Sequence, residues 1–191
     1  MSPQEETSPQ KKRLPQHALP RGLAGKITYS LMPLGHKPIY ENVARLLDLQ
    51  SDDDLVEIAC GNGHFLQKYA SHVRSVVGLD LSALGIELAN RKHADRVVAG
   101  TAEFICADAS KFPWDDGMFS VATTMGSLPL FRNPRQALKE IHRVLRPGGR
   151  AVLSIEWNAE DAKDHSRQVE KSGYCIWTER QVRSVQATQV A

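Results

Sequence analysis

Apolar residues along this chain follow two alternating spacings. Short runs rich in valine, isoleucine and leucine have the length and composition of buried strands: Leu55 to Ala59, Ser75 to Leu79, a third run ending just before Asp108, and Val121 to Met125. Between them the apolar positions recur at helical spacing. His36 to Leu47 sets Ile39, Val43, Leu46 and Leu47 on one face, a helix is expected from about His64, and Leu84 to Lys92 repeats the pattern behind Ser82, a residue suited to capping. Pro134 to Leu145 turns Ala137, Leu138, Ile141, Val144 and Leu145 inward and leaves Arg135, Lys139 and Arg143 in water. Pro147, Gly148 and Gly149 are expected to stop that helix before a fifth strand, Arg150 to Ile155. Strands alternating with helices of this size predict an α/β domain built on a doubly wound, mainly parallel sheet with right-handed crossovers.

The first strand runs into Gly61 and Gly63, where missing Cβ atoms permit a sharp turn and let a ligand lie against bare backbone. The second strand leads to Asp80, a carboxylate placed to accept hydrogen bonds from both hydroxyls of a ribose. A dinucleotide loop would carry a third glycine where Leu66 stands, and Ala59 precedes the pair. Glu57, inside the strand before the loop, would repel a phosphate and suits a cationic ligand. A nicotinamide dehydrogenase is therefore disfavoured, by Glu57 and Leu66.

These residues resemble motif I of the class I S-adenosylmethionine-dependent methyltransferases, and the resemblance runs from about Ile39 to Trp157. It implies a Rossmann-like methyltransferase fold with S-adenosyl-L-methionine as cofactor. By that resemblance Glu57, Ala59, Gly61 and Gly63 surround the methionine end, Asp80 binds the ribose, and Leu81 lies along the adenine. Asp108 reads the adenine amino group beside the backbone of Ala109, and Met125 completes the cofactor-binding set. Two positions depart from the family pattern, Ala59 at the first glycine and Ser120 at an aspartate. The segment NPRQALKEIHRVLRPGGRAVLSIEW is close to the family's helix, Arg-Pro-Gly-Gly turn and fifth strand.

The 191 residues carry a net charge of +2 and are 41% hydrophobic, enough for one core. No apolar run approaches a membrane span, and residues 1–20, polar and rich in proline and glutamine, read as a disordered tail rather than a targeting signal. Residues 21–191 are then the cofactor-binding domain. The basic run Lys11, Lys12 and Arg13 fits a solvated tail, so nucleic acid is not an expected partner. Cys60, Cys106 and Cys175 lack disulfide or zinc spacing, no metal is expected, and a reducing cytoplasm fits; Cys60 and Cys106 read as small buried residues at strand ends.

Methyl transfer from a sulfonium asks mainly for alignment of two molecules, with a general base only where the acceptor must lose a proton. His36 is the positional candidate for that base, against a capping or surface role; His64 could face the methionine carboxylate or solvent, and His142 reads as structural. Tyr29 and Tyr40 either close over the site or pack. The expected function is methylation of a small organic acceptor, the alternative being a cofactor-binding or partner-binding module without turnover. The family's strand order, 3-2-1-4-5-7-6, ends in an antiparallel hairpin for which no residues follow the helix expected from Trp177. The domain is accordingly expected to be incomplete at its C-terminus, with a fifth-strand edge open to self-association.

Overall fold

A computed structural model of the chain describes residues 19–154. Five strands form one sheet in the order β3-β2-β1-β4-β5, each neighbouring pair parallel: β1 (Asp54–Ile58), β2 (Ser75–Asp80), β3 (Ala102–Cys106), β4 (Phe119–Met125) and β5 (Leu145–Ser154). The order and the parallel sense are those expected. The helix α1 (Gly22–Leu47) precedes the sheet, α2 (His64–Tyr69) and α3 (Ala83–Lys92) follow β1 and β2, and a short α4 (Ala94–Val98) leads to β3. A turn of 3-10 helix (Leu128–Leu130) and α5 (Pro134–Val144) connect β4 to β5.

Both faces of the sheet are covered, and alternate residues of one strand reach opposite cores. Leu55 and Val121 pack with Val43, Leu47, Phe65 and Phe104 on the side of α1, α2 and α3. Val56, Ile58 and Ala122 pack with Phe112, Trp114, Ile141 and Val144 on the side of α5. This two-sided burial leaves every residue of β1 buried, the two acids Asp54 and Glu57 included.

Several local expectations are corrected. The first helix begins at Gly22, fourteen residues before His36, and runs through Pro33 and Pro38. Tertiary contacts override the breakers there, because Gly25 and Tyr29 are buried against the domain. Leu46 faces outward, while Val43 and Leu47 are buried. The helix α5 ends at Val144, and Leu145 already belongs to β5; Pro147, Gly148 and Gly149 lie inside that strand, where the register slips between Phe119 and Val121. Arg143 is not simply solvated: it pairs with Glu140 and Asp116 and donates to the carbonyl of Trp114. Ser82 caps α3 as expected, accepting from the Gly85 N–H at 3.1 Å. Cys106 is exposed rather than buried.

At the amino end of the sheet, Ser120 supplies contacts of its own in place of the family aspartate. Its hydroxyl donates to Asp53 at 2.7 Å and accepts from the Asp54 N–H at 2.9 Å. Asp53 pairs with Arg150 and Asp54 with Arg74 and Arg146, which pins β5 to β1. Burial pushes the Asp53 carboxyl up, but Arg150, the Gln50 N–H and Ser120 outweigh it and hold it below its usual value. In the sheet of the described residues β5 lies at an edge. The tail before residue 19, Ile155, Cys175, the expected helix from Trp177 and the question of the hairpin lie outside the described residues.

Candidate functional site

The carboxyl ends of β1, β2, β3 and β4 open into a cavity of about 650 Å3, closed on its other side by α1. This is where an open parallel sheet gathers ligands. Of the residues expected to hold a cofactor, Glu57, Ala59, Gly61, Asp80, Leu81, Asp108, Ala109 and Met125 all line it, and so does His36. Gly63 does not. It is the left-handed residue at the start of α2 (φ 66°), buried behind the loop it turns.

Glu57 is 4% exposed, and its Oε2 has no hydrogen-bond partner among the described residues. Burial pushes its pKa well above the usual carboxylate range, and the nearby charge of Asp80 pushes the same way. Asp80 ties the loop together: Oδ2 accepts the Gly61 N–H and Oδ1 the Ser82 N–H, both at 2.7 Å. Its pKa is raised by burial, which the N–H groups of Ser82, Gly61 and Leu81 partly oppose. Asp108 accepts from the Ser110 N–H at 2.9 Å and lies 3.9 Å from the guanidinium of Arg132, another residue of the cavity wall.

The wall opposite the strands comes from α1. Tyr29, 3% exposed, packs so closely under the loop that a Cβ on Gly61 would lie 3.1 Å from its ring and one on Gly85 only 2.7 Å from its hydroxyl. Burial, with Asp80 adding, raises the Tyr29 phenol far above its ordinary range, so it stays neutral; a hydrogen bond to Ser82 opposes the shift. Asn62 Nδ2 donates to the Tyr29 carbonyl at 3.1 Å. His36 stacks on Tyr40, ring centroids 5.9 Å apart, and its Nδ1 lies 2.9 Å from the Met32 carbonyl. Both tyrosines therefore pack and line the cavity together.

His64 packs on Tyr40 outside the cavity lining, and His142 is exposed on α5. Burial lowers the His64 pKa, and Lys92 and Lys68 lower it further. Sequence reasoning missed His93, whose Nε2 lies 2.9 Å from the Gly63 carbonyl while its ring packs on Phe104. A contact spanning thirty residues leaves no local pattern to read. Arg132 was missed for the same reason. Asn62, between the two glycines, was the one signal available in the motif itself.

A doubly wound sheet whose strand ends present a buried acid, a bare glycine turn and two further carboxylates defines a nucleoside-cofactor domain. Residues 56–153 match the family described as a methyltransferase domain, and the chain belongs to the class I S-adenosylmethionine-dependent methyltransferases. It is 28% identical over 142 residues to the sterol 4-C-methyltransferase strm-1 of Caenorhabditis elegans, an alignment covering 72% of this chain and 42% of that one. It is 33% identical over 117 residues to a phthiotriol/phenolphthiotriol dimycocerosates methyltransferase of Mycobacterium tuberculosis, covering 60% and 41%. The fold is shared with geranyl diphosphate C-methyltransferase of Streptomyces coelicolor, solved with Mg2+, geranyl diphosphate and S-adenosyl-L-homocysteine, at a TM-score of 0.70 and 22% identity over 80% of this chain and 57% of that one. The chain spans about two fifths of the length of these two curated relatives.

The family's cofactor is S-adenosyl-L-methionine, and the cavity fits it. A buried carboxylate with an unpartnered oxygen asks for a cationic donor, which the cofactor's ammonium group is, and Asp80 and Asp108 offer acceptors for hydroxyl and amine groups.

Proposed function

We propose that this domain transfers the methyl group of S-adenosyl-L-methionine to a small organic acceptor, with Glu57, Ala59, Gly61, Asp80, Leu81, Asp108, Ala109 and Met125 holding the cofactor. The observation that carries this reading is the orphaned Oε2 of Glu57 at the cavity wall. A buried carboxyl without a partner costs stability, and a bound ammonium group offsets that cost. Gly63 supports the turn from behind.

When bound, the cofactor supplies a methyl group on a positively charged sulfur with a neutral thioether as leaving group. The chain's own residues bind, orient and exclude water. Glu57 takes the ammonium end, and Asp80 takes the ribose hydroxyls with the lone pairs left by the Gly61 and Ser82 N–H groups. Asp108 and the Ala109 backbone take the adenine edge, and Leu81 covers its face. Tyr29, Tyr40 and Phe131 wall off water. Fixing two reactants in this way is worth about 7–11 kcal/mol of barrier. His36 is the candidate base for an acceptor that must lose a proton; a carbonyl only accepts, so Nδ1 carries the hydrogen directed at Met32.

Calorimetry with S-adenosyl-L-homocysteine tests the cofactor assignment, and transfer of labelled methyl to a panel of phenols, quinols and sterols tests turnover. Binding is expected, weakened roughly tenfold to a hundredfold by Asp80→Ala. The inosine analogue is expected to bind worse than the adenosine form, because a carbonyl replaces the amine facing Asp108. Equal binding of the two analogues would remove the Asp108 role. Tight binding with no transfer to any acceptor would identify a binding module instead.

A further inference from the structure

We propose that the outer face of α1 seats on a lipid surface bearing anionic headgroups. Leu23, Ile27, Leu31 and Leu34 are each between 55% and 77% exposed, and they supply half of the exposed large apolar side chains among the described residues. At about 100° per residue these four fall within one narrow stripe. The stripe lies roughly opposite the face that buries Tyr29 and Val43 in the domain. A helix apolar on two opposite faces needs two apolar environments, and the domain supplies one.

Charge selects the second environment. Lys26 and Lys37 flank the stripe on one side, and both are exposed. Residues 7 to 40 carry six Lys or Arg and no Asp or Glu, and the single acid of α1, Glu41, pairs with Lys37 at 3.7 Å. An apolar stripe edged with cations is the composition of a helix lying in the plane of an anionic interface. No helix of the described residues is long and apolar enough to cross a membrane, so the contact is one of lying on the surface. Leu31 belongs both to the stripe and to the cavity wall, so a seated α1 turns the cavity's edge toward the lipid.

The test is flotation of the full chain with phosphatidylcholine vesicles with and without phosphatidylserine, at low and physiological salt, beside light scattering across a concentration series. Partition onto the phosphatidylserine vesicles, weakened by salt, is expected. Leu23→Ser/Ile27→Ser/Leu34→Ser, which spares the cavity wall, should reduce it by roughly tenfold or more, and Lys26→Glu/Lys37→Glu should reduce it without touching the apolar stripe. A circular-dichroism melt confirms that each variant folds; if the serine variant does not, the charge-reversal variant and the salt dependence decide. Absence of partition, or partition unchanged in both variants, overturns the proposal. Concentration-dependent assembly abolished by the serine substitutions also overturns it, because the stripe is then covered by a second copy of the chain.

Discussion

Asn62 completes a hydrogen bond that Pro33 cannot make. Pro33 has no N–H for the Tyr29 carbonyl four residues earlier in α1, and the side-chain amide of Asn62 donates to that carbonyl at 3.1 Å. The gap in the helix thus becomes the bolt between α1 and the glycine loop. Asn62→Ala is expected to cost about 1–2 kcal/mol, the range for a part-buried acceptor left unpaired. Pro33→Ala restores an internal donor, so the same Asn62→Ala change should cost less in that background. Urea denaturation of the four proteins in a double-mutant cycle reads the coupling, and a coupling of zero would separate the two residues.

A second prediction concerns Glu57 and proton linkage. Its folded-state pKa lies above the ordinary value of 4.5 through burial and the charge of Asp80. A carboxyl shifted upward contributes fully below its unfolded value and loses that contribution as pH rises, so the unliganded domain carries a destabilising group at neutral pH. Glu57→Gln should therefore raise the neutral-pH melting temperature while weakening cofactor binding, a separation of stability from function. An approaching ammonium group favours the ionised form, so binding should tighten with pH and release protons. Calorimetry in two buffers of different ionisation enthalpy measures the release, and Glu57→Gln should abolish it.

What could be read in the sequence is what depends on near neighbours. The strand ending at Ile58, the turn that begins at Gly61, and the acid at Asp80 lie within one crossover, and their spacing alone brings Gly61 and Asp80 to the same cavity at the carboxyl end of the sheet. The first half of α1 was illegible because its glycines and prolines argue against a helix locally. Its helicity is imposed by Gly25 packing against Pro20 and Leu84, and by Tyr29 beneath Gly61. Arg143 looked solvated because periodicity marks faces but not partners; Glu140, Asp116 and the Trp114 carbonyl gather around it only in the fold. Glu57 was readable as a charge but not as an orphan, since burial and missing partners are tertiary facts.

The third prediction is a pH dependence of opposite sign. His93 has its pKa lowered below the ordinary 6.5 by burial, which the Gly63 hydrogen bond opposes and the charges of Arg96 and Lys92 reinforce. An imidazole kept neutral in the fold contributes fully above its unfolded value, and the contribution is lost as pH falls below about 6.5. His64 acts in the same direction. His93→Gln retains a donor for the Gly63 carbonyl but has no charge to gain, so its stability should fall less steeply between about pH 7 and pH 5. Parallel urea profiles for the two proteins would remove His93 from the linkage.

The last prediction sets two neighbouring positions of the loop against each other. Ala59 adopts φ 60°, the left-handed region that costs a residue with a Cβ about 1–2 kcal/mol, whereas Gly61 occupies the same region at φ 53° without that cost. Ala59→Gly relieves the strain but loosens the unfolded chain by about 0.4–1 kcal/mol, leaving a net gain between zero and about 1.6 kcal/mol. Gly61→Ala adds the strain and also brings a methyl within 3.1 Å of the Tyr29 ring, so the wall formed by α1 must shift. The first substitution should stabilise the domain; the second should destabilise it and weaken binding together. Denaturation and calorimetry on both variants check this, and a destabilised Ala59→Gly would show that the Ala59 methyl contributes more by packing than it costs in backbone strain.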